Sequence, residues 1–253
     1  MSRTPGEVYI MFEAVLFDLD GTLLDIDMDS FLPQYFAEMG RMAAQVGCCD
    51  PRQLVEQILL STEVMIRDLD PASSNEATFM EHFFRSLEAD EEQMRSFFEE
   101  FYRTGFPRLQ KYSQPFAGVP EMMAKVVGRG HKVVIATNAV FPSQAIQSRL
   151  EWAGIGEFSY ALKTSYENMH FCKPHPQYYL EIAETIGVEP SRCLMVGNDT
   201  GEDLVAGTVG MKTYLVEDRM IDKGGTTYCP DWRGSLSDLI VFMDEIAGAV
   251  GTG

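Results

Sequence analysis

The chain has 253 residues, 45% hydrophobic and 23% charged, an ordinary composition for a folded protein in water. Thirty-eight acidic against 20 basic residues give a formal net charge of −18, which argues against a nucleic-acid backbone or an anionic membrane as partner. No stretch approaches the ~20 apolar residues of a membrane span. Five cysteines without a Cys-x-x-Cys pair point away from a disulfide framework or a zinc site. With no apolar leader run ahead of the first strand, reduced thiols and a cytoplasmic location are expected.

Ala14-Val15-Leu16-Phe17 is continuously apolar and predicts a strand buried on both faces, as in a parallel sheet. From about Asp25 to Ser113 the pattern turns helical. Leu54, Val55, Ile58 and Leu59 fall at helix-face spacing, as do Phe79, Phe83, Phe84 and Leu87, then Met94, Phe97, Phe98 and Phe101. Breakers at Gly47, Pro51, Pro71 and Gly105-Phe106-Pro107 mark joints, so residues 25–113 read as an inserted bundle of four or five helices. Phe rings on such faces are expected in the bundle core, with a minority facing a cleft.

Beyond residue 114, strands and helices alternate. Val133 to Ala136 is a strand, followed by a helix from about Pro142 that places Ile146, Leu150 and Trp152 near its core side. Phe158 to Leu162 is a candidate third strand. A helix from Pro176 ends at Gly187, Cys193 to Val196 and Lys212 to Val216 are strands, and Ser235 to Val250 closes the chain as a helix. This alternation implies an α/β fold, a doubly wound parallel sheet with a small inserted α-helical domain. The expected core is 1–24 with 114–253, and the expected cap is 25–113.

The first strand ends in Asp18-Leu19-Asp20-Gly21-Thr22. Two carboxylates at the end of a buried strand need compensation, and a divalent cation at the carboxyl end of an open sheet would supply it. Alternation puts Asp18 and Asp20 on the same side, so one can attack while the other moves a proton. An isolated Asp-x-Asp is equally well a solvated acidic turn. Three more segments follow strands or precede a helix: Thr137-Asn138, Lys173-Pro174-His175-Pro176, and Gly197-Asn198-Asp199-Thr200-Gly201-Glu202-Asp203. Asp199 and Asp203 share a side if a helical turn begins there. Carboxylates at a helix start are also favoured for their own sake.

Together these four segments, in this order, resemble the motifs of the haloacid dehalogenase-like phosphohydrolases, over about residues 12–24 and 114–253. The resemblance implies Asp18 as nucleophile and Asp20 as general acid/base, with Mg²⁺ as cofactor. It makes Thr137 a phosphate ligand and Lys173 the catalytic lysine, Asp199 a direct metal ligand, and Asp203 a member of the metal's outer shell. Asp18 and the Asp20 carbonyl would complete the metal site, and Asn138 and Lys173 would help Thr137 hold the phosphoryl group. Asn198 stands where some members carry an acid, so its partner is open, and His175 is given no role. The expected activity is hydrolysis of a small phosphorylated metabolite through an aspartyl phosphate. A phosphosugar mutase, a haloacid dehalogenase, a phosphonate hydrolase and a non-catalytic binding module are the alternatives. The substrate, the cap residues that face the cleft (Arg41, Arg52, Arg67 and Arg85 among the candidates) and the oligomeric state are not readable.

Overall fold

The computed structural model describes residues 12–87, 89–225 and 227–248. Six strands form one parallel sheet: β1 (Ala14–Phe17), β4 (Lys132–Ile135), β5 (Leu162–Lys163), β6 (Cys193–Gly197), β7 (Lys212–Val216) and β8 (Trp232–Gly234), in the order β5-β4-β1-β6-β7-β8. β1 is central, with Phe17 level with Ile135 on one side and Val196 on the other. Its apolar run is explained by burial on both faces, because all four residues are sealed. Val15 and Phe17 belong to a core with Met122 of α5 (Val119–Gly128), Ile146 of α6 (Ser143–Trp152) and Leu239 of α8 (Leu236–Gly248). Ala14 and Leu16 instead pack with Tyr178, Tyr179 and Ile182 of α7 (Pro176–Ile186).

The chain leaves the sheet through β2 (Leu24–Ile26) and returns through β3 (Ser113–Pro115), which pair antiparallel. Between them lie α1 (Met28–Val46), α2 (Pro51–Arg67), α3 (Asn75–Ser86) and α4 (Glu91–Glu100). Gly47 ends α1 at φ 69°, in the left-handed region, and Pro51 opens α2. Asp27, Asp50, Ser74 and Asp90 cap the four helices through their side chains. Phe83, Phe101 and Phe106 are fully buried in this insertion.

Two expectations need correction. Gly105-Phe106-Pro107 is not a joint: the chain stays helical as a π turn (Phe101–Gly105) and then a 3-10 turn (Phe106–Tyr112). Gly105 is small because α1 packs on it, where a Cβ would collide with Phe101 and with Met42. Pro107 falls at the start of the 3-10 turn, where its missing N–H is not needed. The candidate strand at Phe158 to Leu162 is displaced to β5. Tyr160 turns back to donate to the Ile155 carbonyl at 2.7 Å, and pairing with β4 begins only at Ala161 N, which donates to Val133 O at 2.8 Å. β8 carries no apolar run and is a short edge strand against β7. The expected closing helix begins at Leu236, and its last two residues, 249–250, lie outside the described residues.

Candidate active site

Parallel pairing brings the carboxyl ends of β1, β4 and β6 to one edge, where the strand order changes direction around β1. Asp18 N donates to Val196 O at 2.8 Å, which fixes the first carboxylate one residue beyond the sheet. Gly21, at φ 82°, turns the chain back so that Gly21 N reaches Leu24 O at 2.8 Å. A side chain at Gly21 would also strike Asn198.

Lys173 Nζ donates to Asp18 Oδ1 at 2.8 Å and to Asp203 Oδ1 at 2.6 Å. The lysine is 1% exposed. Burial works against its charge, but the Asp18 and Asp203 carboxylates outweigh that and hold its pKa well above the ordinary value. Burial raises the Asp18 pKa, with Lys173 opposing it. The other Asp203 oxygen accepts from Asp199 N at 2.9 Å. Both oxygens of Asp203 are therefore engaged by protein donors, an arrangement suited to positioning Lys173 and the Asp199 loop rather than to direct metal ligation. Gly197 makes that packing possible, because a Cβ there would collide with the Asp203 carboxylate. The Lys173–Pro174 peptide is cis.

Asn138 reaches the site, but its amide is committed to the protein. Its Oδ1 accepts from Lys173 N at 3.2 Å, and its Nδ2 donates to Glu202 Oε2 at 3.2 Å and more weakly to Lys173 O at 3.4 Å. Thr137 lines the same cavity, its carbonyl fixed by the hydroxyls of Thr164 and Tyr178, each at 2.7 Å. Asn198 bridges two loops, accepting from Thr22 Oγ1 at 2.9 Å and donating to Arg219 O at 2.6 Å. His175 lies away from this chemistry, its Nε2 donating to Ile66 O of α2 at 2.8 Å.

Two functional-site residues escaped the sequence reading. Arg149, fully buried on α6, pairs with Asp20 Oδ2. Burial raises the Asp20 pKa, and Arg149 is the first group opposing that rise. Asp20 Oδ1 is buried without a protein partner among the described residues, so one oxygen is tethered and the other is available for proton exchange. An arginine at an apolar helix position was the available signal, yet nothing local ties it to Asp20. Glu202 lies within the fourth motif, and burial pushes its carboxyl up to about 7.

Asp18, Asp20, Asp199, Glu202 and Asp203 thus gather around Lys173 and Arg149, an excess of negative charge. Among the described residues, no three His, Cys, Asp or Glu side chains form a metal-holding group. Mg²⁺ is usually held through one or two carboxylates plus substrate oxygens and water. The Asp18 and Asp199 carboxylates and the Asp20 carbonyl could hold it. Asp199 keeps one oxygen for the donors Gly201 N, at 2.7 Å, and Glu202 N, at 3.0 Å.

A model of the haloacid dehalogenase-like hydrolases matches residues 12–208. The chain belongs to this family. Among curated relatives of this hydrolase, the N-acetylmuramic acid 6-phosphate phosphatase of Pseudomonas aeruginosa is 28% identical over 205 residues, 81% of each chain. A phosphoglycolate phosphatase of Xylella fastidiosa is 29% identical over 202 residues, 79% of this chain and 78% of the relative. Family and relatives together place the chain in the phosphatase branch. A structure described as a predicted phosphoglycolate phosphatase from Haemophilus somnus aligns with TM-score 0.56 at 18% identity, covering 94% of this chain and 99% of the other. The L-2-haloacid dehalogenase of Xanthobacter autotrophicus aligns with TM-score 0.52 at 20% identity, covering 92% of this hydrolase and 99% of its own chain. At such identities the shared property is the fold.

Proposed function

We propose that this hydrolase is a Mg²⁺-dependent phosphatase that cleaves a small phosphate monoester through an aspartyl phosphate on Asp18. The observation that carries the reading is the pairing of Lys173 Nζ with Asp18 Oδ1 at 2.8 Å, beside an Asp20 whose Oδ1 has no protein partner among the described residues. Lys173 holds the nucleophile in place and lowers its repulsion from an anionic ester. Asp18 Oδ2 attacks phosphorus, and Asp20 Oδ1 gives its proton to the leaving oxygen. Asp20 then takes a proton from the water that cleaves the acyl phosphate. Thr137 offers its hydroxyl to a phosphoryl oxygen, and Asn138 keeps Lys173 in register. When bound, Mg²⁺ would offset charge on the transferring group. The helices of 25–113 act as a cap that excludes bulk water.

Asp20 and Asp199 are both retained, which favours phosphoryl transfer over carbon–halogen chemistry. Lys111, the one lysine of 25–113, is exposed and does not line the cavity, which disfavours a Schiff-base phosphonate hydrolase. Free thiols at Cys48, Cys49, Cys172, Cys193 and Cys229 support a cytoplasmic setting.

Phosphate release from p-nitrophenyl phosphate with Mg²⁺ tests the reading. Activity should vanish with EDTA, return with added Mg²⁺, and fall at least about 1,000-fold in Asp18→Asn, as expected when a nucleophile is removed. Turnover undiminished in Asp18→Asn would overturn the assignment.

A further inference from the structure

We infer that the ester cleaved here has an uncharged, largely apolar alcohol as its leaving group, and not one carrying a carboxylate. This rests on the phosphatase reading above and narrows its substrate class. The cavity that begins at Asp18 and Asp20 measures about 460 Å³ and continues between the sheet edge and the helical insertion. That volume is within the range of sites for small organic ligands, about 300–1,000 Å³. Away from the strand tips, its walls are Leu32, Tyr35, Ile58, Phe79 and Phe98 from the four helices and Phe141 from the sheet side.

A carboxylate buried against such a wall needs a cation or donors to replace its hydration. The insertion supplies no cation among the described lining residues. Arg41, Arg67 and Arg85 pair with Glu38, Glu63 and Glu81 on their own helices, and Arg52 is exposed. Arg149 is engaged by Asp20, with its guanidinium carbon 4.5 Å from the Phe141 ring centroid, and does not line the cavity. Lys223 is the one described cation that does. It follows Ile221, whose N donates to Asn198 O at 2.8 Å, so it belongs to the phosphate end. Two further lining groups, Asp27 and Asp29, are carboxylates themselves and would repel a substrate carboxylate. The neutral hydroxyls of Tyr35 and Tyr102, 2.7 Å apart, could match a single hydroxyl or carbonyl on the leaving group.

The test compares 2-phenylethyl phosphate with 2-(4-carboxyphenyl)ethyl phosphate, whose reacting ends are alike and whose far ends differ in charge. Phosphate release by the full chain with Mg²⁺ should give kcat/KM on the order of 100-fold higher for the uncharged ester. Leu32→Arg, which adds a cation at a half-buried wall position, should close that gap by about tenfold. Equal or better turnover of the carboxylated ester by the natural chain would overturn the inference while leaving the phosphatase reading intact. Absence of phosphate release from both esters and from p-nitrophenyl phosphate would overturn the phosphatase reading, and the inference with it.

Discussion

Arg149 holds Asp20 from behind the site. Its Nη1 meets Asp20 Oδ2, its Nε donates to Ala145 O at 3.3 Å, and the Phe141 ring covers it. A buried pair of this kind contributes little net stability, but removing one partner strands the other charge, at a cost of about 3–5 kcal/mol. Arg149→Met should therefore shift urea unfolding by about that amount. Arg149→Lys should lose less, because it keeps the charge but not the planar, stacked guanidinium. A fully stable Arg149→Met would mean that the pair does not compensate Asp20. His131 poses a second residue-scale question. Its Nδ1–H faces the Phe12 carbonyl at 3.0 Å, which leaves Nε2 unprotonated, buried and without a donor among the described residues. Burial lowers its pKa below the ordinary 6.5. The unfolded chain thus takes up the proton first, so stability from His131 is full above pH ~6.5 and declines as pH falls below it. Replacing His131 with Gln should flatten that part of a stability–pH profile, and an unchanged slope would exclude the effect.

Among the elements, α3 decides how the insertion meets the sheet. The first N–H groups of a helix lack partners within it. Here Asn75 N donates to Met169 O and Glu76 N to Tyr166 O, both at 2.8 Å, so the start of α3 is stitched to the loop after β5. The Asn75 amide adds bonds to Ala139 O at 3.2 Å and Phe171 O at 3.3 Å. The end of α2 is held in turn by His175 through Ile66 O. Asn75→Ala would leave buried carbonyls short of a donor, worth about 1–3 kcal/mol. Amides of 25–113 should then exchange faster with solvent deuterium while β6 and β7 stay protected. Uniform acceleration across the chain would mean that Asn75 supports the whole fold and not this junction alone.

At the scale of the molecule, a net charge of −18 coexists with membership of a phosphatase branch whose substrates are anions. The two are compatible because distant surface charge is screened within about 10 Å, while Lys173 and a divalent cation, when bound, would offset the carboxylates near Asp18. The layering serves the same end. Helices cover both faces of the sheet, so its carboxyl edge is the place where charged side chains can gather without breaking a core. None of the described helices is long and apolar enough to cross a membrane.

Local pattern was sufficient for much of this. Unbroken apolar runs identified β1, β4 and β6, because a strand sealed on both faces has no room for alternation, and β7 carries a shorter run, Tyr214 to Val216, after Lys212 and Thr213. The carboxylates, lysine and small residues at strand ends marked the segments that would have to meet. Periodicity described the insertion as helical, although its α4 end ran on through Gly105 where composition suggested a break. The order β5-β4-β1-β6-β7-β8, the engagement of both Asp203 oxygens and the choice of Arg149 as partner for Asp20 were tertiary decisions. Burial periodicity is written over a few neighbouring residues. The neutralisation of a buried charge is settled between side chains 129 positions apart, by whichever group the packing brings within reach.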